Sequence, residues 1–247
     1  MGTVVTIEVL DADAQSHIED AFHWFDAVES CCSKFRADSE LCALDTRPHI
    51  VSSMLFETLQ FALQVAEQSH GAFDPTNGHL DAIRLDATSK TVALTEQVVI
   101  DLGAIAKGLA VDLAAQSLRP YRNFAINAGG DLYLAGSNAK GTPWNVAIRH
   151  PREGENFPPI AVSDKAVCTS GDYERGSHIH DARNQRPANA SLSATVVAPS
   201  AMLADALATA AYVMGPVEGI AFLHSQGVEG MIVSPSLDVH ETKGFRA

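Results

Sequence analysis

The feature that most constrains the fold is an apolar run near the C-terminus, Ser200-Ala-Met-Leu-Ala-Asp-Ala-Leu-Ala-Thr-Ala-Ala. Because nearly every residue is small or apolar and favours helix, this segment predicts a buried helix. Asp205 and Thr209 are four residues apart and therefore share one helix face. Buried oxygen groups need partners, and a hard cation such as Mg²⁺ is one candidate. The ordinary alternative is that Asp205 caps a loop or pairs with an arginine, and that Thr209 bonds back to its own helix.

The charge balance narrows the class of partner. The chain of 247 residues has 17 Lys and Arg against 30 Asp and Glu, a formal net charge of -13, and contains no basic run. This balance argues against nucleic acid and against anionic membrane surfaces as partners. An acidic protein that handles phosphate groups must recruit a cation or use helix N-termini.

The four cysteines, at positions 31, 32, 42 and 168, show no C-x-x-C spacing. This pattern favours reduced thiols over a zinc site or a disulfide framework. We identify no apolar stretch that predicts a membrane span, and the first residues run into strand-like alternation without a signal peptide. These observations predict a cytoplasmic protein with no membrane span, unless an export segment was trimmed away.

The order of predicted elements favours an α+β fold with antiparallel-rich mixed sheets packed with several long helices, in one domain over residues 1–247. The irregular strand spacing does not fit the strict alternation of a doubly wound fold. Helices are predicted after a capping Asp13, over 52–69, from 101 to about 118, over 200–214 and over 217–225. Strands are predicted over 4–10, 91–94, 98–100, 124–127, 132–135, 144–148, 166–169, 193–198 and 230–233.

Two glycine-containing stretches stand next to predicted helices. In the turn over 71–78, Phe73 supplies an aromatic face, although an ordinary turn with a core phenylalanine explains the pattern equally well. In the stretch from Asp101 to Gly108, Asp101 and Lys107 bracket a helix N-terminus whose amides could meet an anion. That stretch matches neither a P-loop nor a dinucleotide-binding fingerprint.

Two more stretches follow predicted strands. The Asn127-Ala-Gly-Gly-Asp131 turn is explained by an ordinary hairpin. The stretch over 169–181 clusters hydroxyls, two histidines and two aspartates, and offers His178 as a general base with a carboxylate close in sequence. A surface loop rich in turn formers is the alternative. The His178 and His180 pair also has metal-ligand spacing, but no third ligand is evident.

Taken in this order, the segments resemble the ApbE family of FAD:protein FMN transferases, almost from end to end. Each motif alone is weak, whereas the ordered set is specific. The motifs that carry the resemblance are Met1-Gly-Thr, Ser33-Lys-Phe-Arg-Ala-Asp-Ser-Glu40, Phe73-Asp-Pro-Thr, Asp101-Leu-Gly-Ala-Ile-Ala-Lys-Gly108, Asn127-Ala-Gly-Gly-Asp131, Thr169-Ser-Gly-Asp-Tyr173, Ser177-His178 and Val197-Ala-Pro-Ser-Ala-Met-Leu-Ala-Asp205-Ala-Leu-Ala-Thr209.

The resemblance implies an enzyme that cleaves FAD with Mg²⁺ and transfers FMN to a Ser or Thr hydroxyl of an acceptor flavoprotein, releasing AMP. It implies that Asp205, Thr209 and the backbone carbonyl of Ala104 bind the magnesium ion. It also implies His178 as the base that deprotonates the acceptor hydroxyl. The residues that it assigns to FAD binding are Met1, Phe35, Ala72, Phe73, Asp74, Asp101, Lys107, Ile179 and His180.

The chain departs from the family pattern in three places. The region between Leu80 and Val98 is short, and so is the segment between Tyr173 and His178. The usual Asp-Pro-Arg-Thr-Gly is replaced by Asp181-Ala-Arg-Asn-Gln185. These changes leave two alternatives to transfer: a magnesium-dependent FAD pyrophosphatase, and an FAD-binding protein without turnover.

Overall fold

A helical layer covers one face of the main sheet. The computed structural model describes residues 2–11, 13–152, 154, 156–171 and 179–246. Within them, α3 packs against both α1 and α4, and α4 lies across the central strands of the sheet. The helices are α1 (Gln15–Cys32), α2 (Ser53–Gln68), α3 (Gly103–Ser117) and α4 (Ala201–Ser225), with short 3₁₀ turns at Leu41–Ala43 and Leu80–Ala82.

In the described part of the chain, the main sheet has seven strands, and each neighbouring pair is antiparallel. Its order is β1-β5-β6-β9-β12-β13-β14, a three-stranded sheet has the order β2-β4-β3, and β7–β8 and β10–β11 form two-stranded ribbons. The strands are β1 (Val5–Val9), β2 (His49–Ile50), β3 (Ile83–Asp86), β4 (Thr91–Leu94), β5 (Phe124–Ala128), β6 (Asp131–Ala135), β7 (Trp144–Ile148), β8 (Phe157–Val162), β9 (Lys165–Gly171), β10 (His180–Asp181), β11 (Arg186–Pro187), β12 (Ser193–Ala198), β13 (Glu229–Val233) and β14 (Val239–Glu241).

Two apolar clusters lie on opposite faces of the main sheet. The larger one fills the space between the sheet and the helices and includes Ile126, Ala194 and Leu207. The smaller one joins the outer face of the sheet to the β7–β8 ribbon, for example through Val146 and Met231. Strand β12 is buried along its whole length because both of its faces are covered. The predicted α+β architecture is confirmed.

Helix α4 contains a break that also explains its unusual length. Gly215 has φ 81° and ψ 177°, values outside the helical region, and Pro216 follows it. Glycine accepts this positive φ without the cost that a Cβ would impose, and proline starts the second helical piece because it needs no amide donor there. The predicted helices over 200–214 and 217–225 are therefore two pieces of one element with a kink between them.

Some predicted details are wrong. Asp13 does not cap α1: the residue before the helix is Ala14, and no side chain caps the first turn. Asp13 instead has a positive φ of 65°, in the left-handed region that aspartate tolerates. Residues 98–100 form no strand. Ser52 does cap α2, since its hydroxyl accepts a hydrogen bond from the Leu55 amide at 3.1 Å.

Within the described part of the chain, α4 is long and apolar enough to cross a membrane by length and composition, with a mean hydropathy of 1.5 in its most apolar window. However, 67% of that window is buried inside the protein. The core helix of a globular protein has the same composition, so this helix is weak evidence for a membrane span.

Candidate active site

A buried lysine joins two aspartates where α3 and α4 meet the main sheet. Lys107 of α3 places its Nζ 2.9 Å from Asp131 Oδ2 and 3.1 Å from Asp205 Oδ2. Asp131 is the first residue of β6, and Asp205 lies on the second turn of α4. Their exposed fractions are only 2% and 3%. Three elements that are distant in sequence therefore build one charged site inside an apolar region.

The electrostatics of this site leave one negative charge without a fixed partner. Burial raises the pKa of Asp205 to about 7, and the neighbouring Asp131 carboxylate adds to the rise, while the Lys107 ammonium opposes it. Burial alone would lower the pKa of Lys107, but the two carboxylates outweigh burial and hold that pKa above its usual range. When both aspartates are ionised, two carboxylates face one ammonium, and the site attracts a further cation.

Two hydroxyls lie next to this charged group. Thr209, one turn after Asp205 on α4, places its Oγ1 3.0 Å from the Oγ of Ser170 on β9. The predicted alternative, in which Thr209 bonds only back to its own helix, is therefore not what the structure shows. Ser170 is 8% exposed, and the segment that carries His178 begins two residues later.

The crossing of α3 and α4 sets the position of Lys107 and Asp205. Asp112, further along α3, accepts hydrogen bonds from the amides of Ala201 and Met202 at 2.7 and 2.9 Å. These amides begin α4 and have no hydrogen-bond partner within the helix. The Asp112 carboxylate accepts their hydrogen bonds and interacts favourably with the positive end of the α4 dipole. Burial raises the pKa of Asp112 to about 6, although the two amides oppose the rise.

The N-terminus of α3 is fixed by Asp101. Its Oδ1 accepts a hydrogen bond from the Gly103 amide at 2.8 Å, and its Oδ2 pairs with Lys34 at 2.6 Å. The Asp101 amide in turn donates to the carbonyl of Pro75 at 2.7 Å. The predicted site residues Asp101 and Asp74 are thus brought together through the turn that contains Pro75.

The turn at Asp74 is organised by its own carboxylate. Oδ1 accepts from the amide and the hydroxyl of Thr76, both at 2.7 Å, and Oδ2 accepts from the Gly78 amide at 2.8 Å. Such side-chain caps hold a turn rigid. Asp74 therefore shapes the loop that was predicted to contact FAD.

A second turn docks on this loop. Gln185 Nε2 donates to the carbonyl of Asn77 at 2.8 Å, and Asn77 Nδ2 donates to Gln185 Oε1 at 3.1 Å. Asp181 fixes the second turn from inside through a pair of hydrogen bonds from Arg183 at 2.8 and 3.0 Å. Ile179 and His180 lie just before this turn, and the Ile179 carbonyl accepts a hydrogen bond from the Ala188 amide at 2.9 Å.

The remaining predicted FAD-binding residues occupy different environments. Phe73 and Ala72 are each 2% exposed and belong to the main core, as the core-phenylalanine alternative expected. Phe35 is 89% exposed, next to Lys34, whose ammonium lies 5.0 Å from the centre of the Phe35 ring. Ala104 lies in the first turn of α3, three residues before Lys107. Met1 and His178 lie outside the described residues.

Sequence reasoning missed Asp131 as a site residue. The Gly-Gly-Asp pattern was explained by an ordinary hairpin, and Asn127 does act as a turn residue there, since its Oδ1 accepts from the Gly130 amide at 2.9 Å. Only the tertiary arrangement brings Asp131 to Lys107. The one available signal was a carboxylate at the end of a glycine turn, immediately before the strand predicted over 132–135, because a carboxylate that becomes buried there needs a partner.

The donor set of this site fits a hard divalent cation. Asp205 and Thr209 offer a carboxylate and a hydroxyl on one helix face, and Asp131 Oδ2 receives no well-aligned hydrogen bond from any described residue despite the nearby ammonium. All these atoms are oxygens, which Mg²⁺ prefers. No group of three or more His, Cys, Asp or Glu side chains that could hold a metal occurs among the described residues, so the proposed donor set depends on the Thr209 hydroxyl as well as on carboxylates.

Fold and site together define an α+β protein with a buried Lys-Asp-Asp group at the crossing of two core helices, next to a pair of docked turns. Comparison with protein-family models matches residues 1–232 to the ApbE family. The chain therefore belongs to the ApbE family, as its motifs predicted.

Curated proteins and solved structures agree with this assignment. The chain is 28% identical to the FAD:protein FMN transferase of Vibrio cholerae over 283 residues, covering 94% of this chain and 85% of that protein. It is 29% identical to the Treponema pallidum protein of the same name over 309 residues, covering 99% and 85%. The structure of the flavin transferase ApbE from Vibrio cholerae superposes with a TM-score of 0.91 at 26% identity, covering 99% and 95% of the two chains. The ApbE protein from Thermotoga maritima gives a TM-score of 0.90, also at 26% identity, covering 99% and 95%.

Proposed function

We propose that this protein is an FAD:protein FMN transferase, which moves the FMN part of FAD onto a hydroxyl of an acceptor flavoprotein. The observation that carries the proposal is the buried Lys107, Asp131 and Asp205 group, in a chain of this family, with the Thr209 hydroxyl one turn away. A protein that only stores flavin does not need two buried carboxylates and a lysine at the point where its core helices cross.

The reaction exchanges one phosphorus–oxygen bond for another. The acceptor hydroxyl oxygen attacks the phosphorus of the FMN half, a new phosphoester bond forms, and the bond between that phosphorus and the bridging oxygen breaks. AMP leaves with the bridging oxygen, and the hydroxyl proton passes to a base. His178 remains our prediction for that base.

Magnesium is part of the proposal because an acidic protein must neutralise a diphosphate. Asp205, Thr209 and the Ala104 carbonyl would hold the ion, which supplies charge neutralisation at the phosphate oxygens. Lys107 contributes a second positive charge that the protein itself holds in place. Asp101 fixes the start of α3 by accepting a hydrogen bond from the Gly103 amide, and the positive end of the α3 dipole there favours an anion.

The two docked turns support the binding half of the proposal. Asp74 stiffens one turn, Asp181 stiffens the other, and the Asn77 to Gln185 hydrogen bonds join them. A preformed loop pair loses little conformational entropy when a ligand binds. We therefore assign FAD to the side of the protein where these turns meet the N-terminus of α3.

The test of this proposal is FAD turnover by the purified full-length chain with Mg²⁺ and an acceptor domain that other family members flavinylate. AMP release that matches acceptor modification supports transfer. AMP and free FMN in equal amounts, with an unmodified acceptor, would instead support the pyrophosphatase alternative. FAD binding without AMP would leave only a flavin-binding protein. The Asp205→Asn variant is the negative control.

A further inference from the structure

Lys107 has two anchors for its ammonium, on two different elements. The 2.9 Å contact with Asp131 and the 3.1 Å contact with Asp205 are nearly equal, and the first anchor belongs to the sheet while the second belongs to α4. A lysine side chain is a flexible stem with a point charge, so small rotations can move its ammonium from one carboxylate to the other.

Asp131 has accepting capacity that its present contacts do not use. Its Oδ2 is buried, and within the described residues no donor makes an aligned hydrogen bond to it. Its charged contact there is the 2.9 Å ion pair with Lys107, whose ammonium is shared with Asp205 at 3.1 Å. A buried carboxylate oxygen without a hydrogen bond costs free energy, so Asp131 gains if the ammonium turns fully toward it.

We propose that Asp131 is a positioning residue for Lys107: the ammonium neutralises Asp205 before a divalent cation binds, and it turns onto Asp131 when the cation takes Asp205. This inference rests on the proposed magnesium site. A divalent cation at Asp205 would repel an ammonium held at contact distance, and Asp131 is the adjacent carboxylate that can receive it. With the cation bound, the Lys107 ammonium would then be held by Asp131 alone.

The inference gives opposite signs for two substitutions. Lys107→Met removes a cation that competes for Asp205, so divalent cations should bind more tightly. Asp131→Asn removes the second anchor, so the ammonium stays on Asp205 and the cation binds more weakly. Simple charge counting predicts the same two signs, and the two accounts separate only in the double variant. If Asp131 acts through Lys107, its substitution loses most of its effect once Lys107 is absent.

The experiment is a titration of the full-length chain with Mn²⁺, followed by electron paramagnetic resonance without FAD. We expect Lys107→Met to tighten Mn²⁺ binding and Asp131→Asn to weaken it, each by about tenfold. In the Lys107→Met background, Asp131→Asn should weaken binding by no more than about threefold. Lys90→Met, which removes a lysine that pairs with exposed Glu57 at 3.6 Å, is the matched charge control and should leave the affinity unchanged.

Equal effects of Asp131→Asn in both backgrounds would overturn the inference, and so would weaker Mn²⁺ binding by Lys107→Met. If Asp131→Asn does not fold, Asp131→Ser replaces it in both backgrounds, because serine also removes the carboxylate and is small enough for the buried position, and the same comparison with and without Lys107 decides. FMN transfer by the wild type is measured in parallel. Transfer together with additive Mn²⁺ effects would refute the positioning role only, whereas no transfer would refute the proposed function.

Discussion

Gly108 of α3 and Ala201 of α4 are in backbone contact where the two helices cross, since a Cβ on Gly108 would lie 2.4 Å from the Ala201 carbonyl oxygen. This contact is shorter than any side chain permits, so only glycine fits at position 108. It also fixes the distance between Lys107 and Asp205, which stand on the two helices next to the crossing. The geometry of the charged site therefore depends on the absence of a side chain at position 108.

Gly108→Ala should destabilise the protein and weaken the site. Alanine gains about 1 kcal/mol in helix propensity over glycine, but overpacking against the rigid backbone of α4 costs about 1–3 kcal/mol, and the clash wins. Urea unfolding measures the difference. Gly2→Ala is the control, because a Cβ there meets nothing within 4 Å. A Gly108→Ala protein as stable as the wild type would contradict the close crossing.

Asp112 should make stability depend on pH. Its folded pKa of about 6 lies above the value of about 3.9 in an unfolded chain, so the folded protein binds the proton more tightly. Its contribution to stability is therefore greatest below pH 4 and falls as pH rises through 6, by about 3 kcal/mol. The advantage of the wild type over Asp112→Asn in urea unfolding should shrink over this range. An advantage that grows with pH would mean that the dipole of α4 outweighs burial.

Thr209→Val should weaken magnesium binding while leaving the fold intact. Valine keeps the shape of threonine and removes only the hydroxyl, which is one of the proposed oxygen donors. We expect the Mg²⁺ concentration needed for half-maximal AMP release to rise about tenfold. Ser170→Ala removes the hydrogen-bonding partner at 3.0 Å but retains the Thr209 hydroxyl, so its change should be smaller. Equal changes in both variants would show that the hydrogen bond between Thr209 and Ser170, and not magnesium coordination by the Thr209 hydroxyl, sets the magnesium requirement.

Gln185→Asn should loosen the docked turns. Residue 185 has φ 61°, which asparagine tolerates, but the shorter side chain no longer reaches Asn77. We expect FAD to bind about threefold to tenfold more weakly, because Ile179 and His180 lose their fixed position. Quenching of flavin fluorescence measures this affinity. Gln226→Asn, at a half-buried glutamine outside both turns, is the control, and unchanged FAD binding by Gln185→Asn would remove the turns from the binding site.

The sequence predicted the elements whose local signals agree with their tertiary environment. Helix α2 was placed within one residue because Ser52 caps it, and β12 was placed over its full range because it is short and apolar. Strand β8 was missed because Pro158 and Pro159 argue against a strand. These prolines are tolerated because β8 belongs to a two-stranded ribbon, in which each strand has a free edge.

For the candidate site too, the sequence predicted only what a local pattern encodes. Asp205 and Thr209 share a helix face that spacing alone reveals, and the structure confirms that both lie on one helix. The ion pairs of Lys107 with Asp131 and Asp205 join residues that are 24 to 98 positions apart, so no local pattern predicts them. The burial of Phe73 likewise depends on the packing of the main core.

The most direct test of the account is the intact mass of an acceptor domain after incubation with this protein, FAD and Mg²⁺, together with AMP quantification in the same reaction. The account predicts a gain of one FMN per acceptor, an equal amount of AMP, and neither product in excess EDTA or with Asp205→Asn. An acceptor that gains FMN at the same rate with EDTA present, or AMP release without any acceptor modification, would contradict it.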